Sequence, residues 1–233
     1  MRTILRLRVE YEKGRELKYL SHLQLMRLVE RTLRRGEIPY ALSEGFNPHV
    51  KLSLGTVLPV GVWGTAEYLD IELNRDMSPE EFIARMEGAS PPGFRVKRVQ
   101  KIAPSTPSLQ AQVNAAAYRL SLSRDVGEST VKAALDGILK EKHLVVPARG
   151  KKRKEKDLRP GIFRLEHRRA NGNLEIVAVV RVGNGESIRP DELADCLEKQ
   201  EPALVVTDIC RYGNYVKEAD VYRSPLGLGK VEL

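Results

Sequence analysis

Three residues combine proton-transfer chemistry with an unusual setting. His22 begins a basic amphipathic stretch, His49 closes the loop SEGFNPH (Ser43–His49), and Asp157 lies in the run RGKKRKEKDLR (Arg149–Arg159). An imidazole titrates near neutrality and a well-placed carboxylate serves as a general base. These three are therefore the candidate catalytic residues, with Glu44 of the first loop a further carboxylate. No base or nucleophile is positioned beside any of them, and a structural or solvated role is the plainer reading of each.

Cationic groups make the stronger pattern. Arg27, Arg31, Arg34 and Arg35 recur at spacings of three and four, which places them on one helical surface. The guanidinium fork suits phosphate, and only Glu30 offsets the charge. In the SEGFNPH loop, Gly45 permits unusual backbone angles and Asn47-Pro48 imposes an extended or turn geometry. Phe46 is apolar without a periodic partner: it either stacks on a base or plugs the loop onto the core. Lys51 follows. The Arg149–Arg159 run carries Arg149, Lys151, Lys152, Arg153, Lys154, Lys156 and Arg159 against Glu155 and Asp157, a density that typically grips a polyanion. The candidate nucleic-acid-binding set is thus Arg27, Arg31, Arg34, Arg35, Phe46, Asn47, His49, Lys51, Lys151, Lys152, Arg153, Lys154, Lys156 and Arg159.

The formal charge of +8 points the same way, to an anionic partner with nucleic acid ahead of membrane. With 42% apolar and 30% charged residues the chain can bury a real core. No run approaches the length of a membrane span, and MRTILRLRVEYEK is too charged for a signal peptide. Cys196 and Cys210 form no CxxC pair, and Cys196 shares a helical stripe with Leu193 and Leu197, which reads as core. A cytoplasmic location is expected. No P-loop, GxGxxG or nucleophile elbow is present, and no three-cysteine cluster could hold an iron–sulfur centre.

These residues must be carried by regular elements. Ile4–Tyr11 alternates, with Leu5, Leu7, Val9 and Tyr11 on one face and Arg6, Arg8 and Glu10 on the other, which predicts a half-buried strand. Ser21 and Gln24 predict a capping box, Leu25, Leu28, Val29 and Leu33 a buried helical stripe, and Gly36 the helix stop. Val50–Leu54 and Leu69–Leu73 alternate as strands, Pro79 opens a second helix, and Phe94–Val99 closes a βαββαβ unit. The solvent face of that sheet would show Arg6, Arg8, Lys51, Ser53, Tyr68, Asp70 and Glu72, without the paired aromatics used to stack bases. After the Pro-containing stretch Ala103–Asn114 the order repeats: a strand at Tyr118–Leu122, a helix at Val131–Ile138, a strand from His143, a hairpin turned at Asn171-Gly172, a helix at Pro190–Lys199 and a strand at Ala203–Tyr212. The expected fold is α+β, two ferredoxin-like units with antiparallel sheets and helices on one face. The expected boundaries are 1–102, a linker at 103–114, 115–216, and a mobile tail at 217–233. The lysine-rich loop would then occupy the corner of the second unit that SEGFNPH occupies in the first.

The run YLSHLQLMRLVERTLRRGEIPYALSEGFNPHVKLSLGTVLPVGV, with EYLDIEL, DLRP and CRYGNY, resembles the radical-SAM-linked bacterial proteins of unknown function. In that family this domain is encoded beside, or fused to the end of, a B12-binding radical SAM protein. The resemblance implies a partnership in which S-adenosylmethionine, the iron–sulfur cluster and cobalamin belong to the partner and none to this chain. It transfers no catalytic residue. At the level of architecture alone, paired ferredoxin-like units are similar to CRISPR repeat-cleaving endonucleases and to one class of tRNA pseudouridine synthases. The catalytic Asp motif of the latter is absent here, and a glycine-rich C-terminal loop like that of the former is approached only at Leu226–Lys230.

The functional expectation is an RNA-binding accessory protein, itself not an enzyme, that serves a radical SAM enzyme in tRNA or rRNA modification. The alternatives are an RNA-processing or RNA-modifying enzyme in its own right, or a protein-interaction module without RNA binding.

Overall fold

Alternation of apolar and charged residues in the first strand, and the capping box after it, set the layout seen in a computed structural model of the chain. The structure describes every residue except 1–3, 148–154, 171, 184–186 and 232. In chain order the elements are β1 (Leu5–Lys13), α1 (His22–Arg35), β2 (Leu52–Leu54), β3 (Trp63–Leu73), α2 (Pro79–Ala89), β4 (Phe94–Ile102), the one-turn α3 (Leu109–Gln112), β5 (Ala115–Leu122), α4 (Glu128–Lys140), β6 (Val145–Pro147), β7 (Glu155–Asp157), β8 (Ile162–Ala170), β9 (Asn173–Arg181), α5 (Pro190–Gln200), β10 (Val206–Glu218), β11 (Val221–Arg223) and β12 (Lys230–Val231). The protein is α+β, and β1 with β3 and β4, and β9 with β5 and β8, pair antiparallel.

Two units divide the chain: Met1–Val113 with Gly213–Leu233, and Asn114–Tyr212. The division differs from the expected boundaries at both ends. Residues 103–113, expected as linker, 213–216, expected in the second unit, and 217–233, expected as a mobile tail, group with the first unit; Thr106, Pro107, Gln112 and Pro225 among them cover charged side chains of its sheet.

In the first unit the strands run β4-β1-β3, with β2 also paired to β3. The registers Leu7↔Ile71 and Val9↔Val99 put one apolar face toward α1 and α2. Leu7, Val9 and Tyr11 meet Leu25, Val29 and Leu33 of α1 and Phe82 and Met86 of α2 in one buried cluster. Leu28, expected in the stripe, packs at its edge. Asn214, on the part of β10 belonging to this unit, donates to the Ala66 carbonyl and accepts from Thr56.

The opposite face departs from expectation. Arg8 and Asp70 are only 1% and 4% exposed, and Glu10 and Tyr68 are buried as well. Arg8 donates twice to Asp70, at 2.8 and 3.0 Å, and also to Gln112 and to the carbonyls of Pro107 and Pro225. Arg6 reaches Asp70 at 2.7 Å and the Thr106 carbonyl at 2.6 Å. The expected linker and tail therefore supply acceptors that complete a buried network, which isolated charges in that position would lack. Glu10 is held by Arg98 at 2.7 Å and accepts from Tyr68. Burial, followed by the Glu10 carboxylate, pushes the Tyr68 phenol well above its ordinary value.

The second unit has the order β10-β5-β9-β8, with β6 and β7 as a separate two-stranded ribbon. Leu120, Ile176 and Val180 of the sheet, Val131, Leu135 and Ile138 of α4, and Leu193 and Leu197 of α5 are buried. Cys196 is buried too, as its stripe predicts, and burial pushes its thiol up. Gly172 turns the β8–β9 hairpin at φ +78°, while Asn171, the other half of the expected turn, lies outside the described residues. Among the described residues no helix is long and apolar enough to cross a membrane.

Candidate nucleic-acid interface

The approach to α1 is fixed before the helix begins. Lys13 is buried, and its ammonium donates to the carbonyls of Lys18, Leu20 and Val62, which gathers the turn that leads into the helix. The capping box then forms as the sequence predicts: Ser21 Oγ accepts from the Gln24 amide and Gln24 Oε1 from the Ser21 amide. With one face of α1 committed to the core, the other projects Arg27, Arg31, Arg34 and Arg35, all exposed. None of the four makes an ion pair among the described residues. Arg34 and Arg35 also lie in the last turn, where the helix dipole favours cations.

Gly36 ends the helix, but not as a left-handed cap. Its φ is −78°, and Glu37 takes the positive angle, +51°. A side chain at 36 would lie 3.0 Å from the Arg85 carbonyl of α2, so glycine is required there for close approach rather than for backbone freedom.

The loop after α1 is pinned at its neck. Leu42 and Val50 form an antiparallel bridge, and the Ser43 amide donates to the His49 carbonyl at 2.8 Å. Ser43 Oγ accepts from the His49 amide and meets His49 Nδ1 at 2.9 Å. Gly45 adopts φ +115°, accessible to glycine and costly for other residues. The result is a short projection, Glu44–His49, all of it exposed, with Phe46 fully in solvent. The plug reading of Phe46 fails: the ring touches no core. An apolar ring held outward on a closed neck is suited to stacking.

A groove of about 720 Å³ connects these parts, lined among others by Arg34, Ile38, Tyr40, Leu42, Asn74 and Arg75. It runs from the C-terminal end of α1 to the neck of the loop. No local pattern signals that Tyr40 and Arg75, well separated along the chain, share a wall; the bridge Tyr40↔Leu73 brings them there.

Other expected contacts are placed differently. Lys51 is paired with Glu72 at 3.1 Å. Lys156 turns inward: only 11% of its side chain is exposed, and it bonds Glu192 at 2.6 Å and the Ser187 carbonyl. It thereby neutralises a buried carboxylate instead of facing an RNA. Arg159 bonds the Leu139 carbonyl. Arg149, Lys151, Lys152, Arg153 and Lys154 lie outside the described residues. Asn47 is exposed on the projection.

Each proton-transfer candidate has its own local setting. His49 is bonded within its own loop neck, and His22 opens α1 with no hydrogen-bond partner among the described residues. Asp157 accepts from the Leu144 amide at 2.8 Å and the Arg159 amide at 3.0 Å, and meets His143 Nδ1 at 2.8 Å. His143, followed by those backbone amides, holds the Asp157 carboxyl below the usual carboxylate range. These bonds pin the β6–β7 ribbon and give Asp157 a structural use.

An α+β protein with a basic helix, a projecting aromatic loop and a groove between them is the class these features define. The chain belongs to DUF2344, a family described as an uncharacterized protein conserved in bacteria, which matches residues 6–190. No protein of curated function matches the sequence. Among solved structures, it is similar in fold to a chain of the crystal structure of a Cbf5-Nop10-Gar1 complex, with 12% identity and a TM-score of 0.50 over 92% of this chain and 50% of that one. A chain in the structure of an H/ACA RNP bound to a substrate RNA containing 2'-deoxyuridine is similar at 13% identity and a TM-score of 0.41, covering 88% of this chain and 46% of that one. This chain therefore spans about half the length of these two solved chains.

Proposed function

We propose that the protein binds RNA and presents it to an enzyme. The observation that carries this reading is the fully exposed Phe46, raised on a neck closed by Ser43 and His49, in the same unit as four exposed arginines free of ion pairs among the described residues. Arginine supplies phosphate contacts and the ring supplies a stacking platform for an unpaired base. The +8 charge favours the same partner. In this reading the chain has no catalytic residue of its own, and the RNA is a tRNA or rRNA. A radical SAM partner, holding the cluster, S-adenosylmethionine and cobalamin, rests on the sequence resemblance alone. The protein works in the cytoplasm, where such RNAs are modified.

Both units are, in this proposal, ferredoxin-like. The order β4-β1-β3-β2 with helices after the first and third strands supports it for the first, and β10-β5-β9-β8 with α4 and α5 for the second.

Binding of total tRNA and of rRNA to the purified chain tests the reading. Association is expected to fall steeply with salt. Absence of binding at about 50 mM salt, where such electrostatics are strong, would overturn it. RNA whose mass or length changes on incubation with the chain alone would replace it with the enzyme reading.

A further inference from the structure

The strand periodicity of the second unit sorts its sheet into two faces. His167 and Arg169, on one face, reach Glu128 of α4 at 3.3 and 3.0 Å. The helices therefore cover that face. The registers Arg119↔Val177, Glu166↔Val177 and Arg168↔Glu175 place the intervening side chains on the other face. The β8–β9 register shifts between Ile162 and Arg164. The bulge brings Phe163 onto this second face too, where the Arg181 guanidinium lies 5.9 Å from its ring centre.

Tyr212 sits on the same face, with the Arg119 guanidinium 5.3 Å from its ring centre. Burial raises its phenol, the charges of Arg168, Arg164 and Arg119 oppose that rise, and Glu166 adds to it. Beneath them Val177 and Val179 are buried. The side chains of Arg164 and Arg168 remain 41% and 46% exposed even though Glu166 and Glu175 pair with them. Arg119 Nε is buried with no hydrogen-bond partner among the described residues, while its Nη2 donates to Cys210 Sγ at 3.7 Å.

We propose that this face is a second RNA contact, one for single-stranded RNA, with bases stacking on Tyr212 and Phe163 and phosphates held by Arg119, Arg164 and Arg168. The proposal rests on the RNA reading given above and adds a substrate form and a site in the other unit. Aromatic rings flanked by guanidinium groups offer a platform that every base can use. A duplex keeps its base faces stacked inside, so rings on a sheet are of use only to an unpaired strand. An acidic protein surface would need the arginines but not the rings, and Glu166 and Glu175 already answer two of those arginines in cis.

The test is fluorescence anisotropy of the full chain with a labelled oligouridylate of about 12 nucleotides, within the span of one binding module, and with an RNA duplex of the same length. Tyr212→Ala is expected to weaken oligouridylate binding about tenfold. Tyr212→Phe should bind like the parent, because stacking does not use the hydroxyl. Arg168→Gln should weaken binding severalfold. If Tyr212→Ala does not fold by circular dichroism, photocrosslinking of the unaltered chain to thiouridine-substituted oligonucleotide takes its place. Adducts are then expected at Phe163 and Tyr212. Binding by the parent chain that neither Tyr212→Ala nor Arg168→Gln weakens, or adducts confined to Phe46 and α1, overturns this inference and leaves the RNA reading standing. A parent chain that binds no RNA overturns both.

Discussion

Each unit has a sheet with helices on one face and charged residues on the other, and the two second faces meet opposite fates. In the first unit Arg8 and Asp70 are sealed, and the backbone of residues 106–107 and 225 supplies acceptors to the arginines. In the second, Arg164 and Arg168 stay about half exposed. A strand that alternates apolar and charged residues does not by itself say which face is wet. The answer lies in whether another stretch of chain brings carbonyls to lay over the charges.

That contrast can be broken most forcefully at Asp70. Asp70→Ala should cost about 3–5 kcal/mol, since it strands a buried guanidinium, and urea denaturation reads it directly. Arg119→Gln in the second unit should cost less than about 1 kcal/mol, the scale of a partly exposed cation–π contact. Equal losses at the two positions would mean that the second face is sealed as well. Phe46→Ala comes next: about a tenfold drop in RNA affinity, with stability changed by no more than about 0.5 kcal/mol as for other surface sites. A drop in stability instead would return Phe46 to a packing role. Arg27→Ala combined with Arg31→Ala should flatten the log–log salt dependence of binding by roughly 1.5–2, because each phosphate that is no longer neutralised keeps its counterion.

The smallest effect is at Asp157. Its carboxyl is held below the ordinary range, so the stabilisation it provides is fully present above the unfolded value of about 4 and is lost as pH falls through the lower folded value. Because His143 is largely exposed, solvent screening keeps the contribution under about 1 kcal/mol. Asp157→Asn should therefore lower stability slightly at neutral pH and leave it unchanged in strong acid, as thermal melts across pH would show.

What can be read from the sequence follows the range of the interaction. The capping box, the α1 stripe and the four exposed arginines are set by residues within a few positions of one another, and all are found. Whether Phe46 faces in or out is not set locally, because its sequence neighbours permit either. The sealed face is not legible: Arg8 and Asp70 are 62 residues apart, and the Pro225 carbonyl is 217 residues from Arg8. Lys156 misleads for a similar reason. Within a basic run it looks solvated, but its partner Glu192 sits 36 residues on, in α5. The Tyr212 platform is hidden in the same way, since Arg119, Arg164 and Tyr212 come from three strands that are distant along the chain.

Strand β10 passes from the second unit into the first at Gly213, so residues 114–212 are an insertion within the first unit's chain. Synthesis runs from the N-terminus, and the second unit is therefore complete while the first still lacks Asn214 and Pro225. Until those residues emerge, the Pro225 carbonyl is missing from Arg8 and Asn214 from Ala66. A purified chain ending at residue 212 should then show a protease-resistant second unit beside a first unit that is still cleaved.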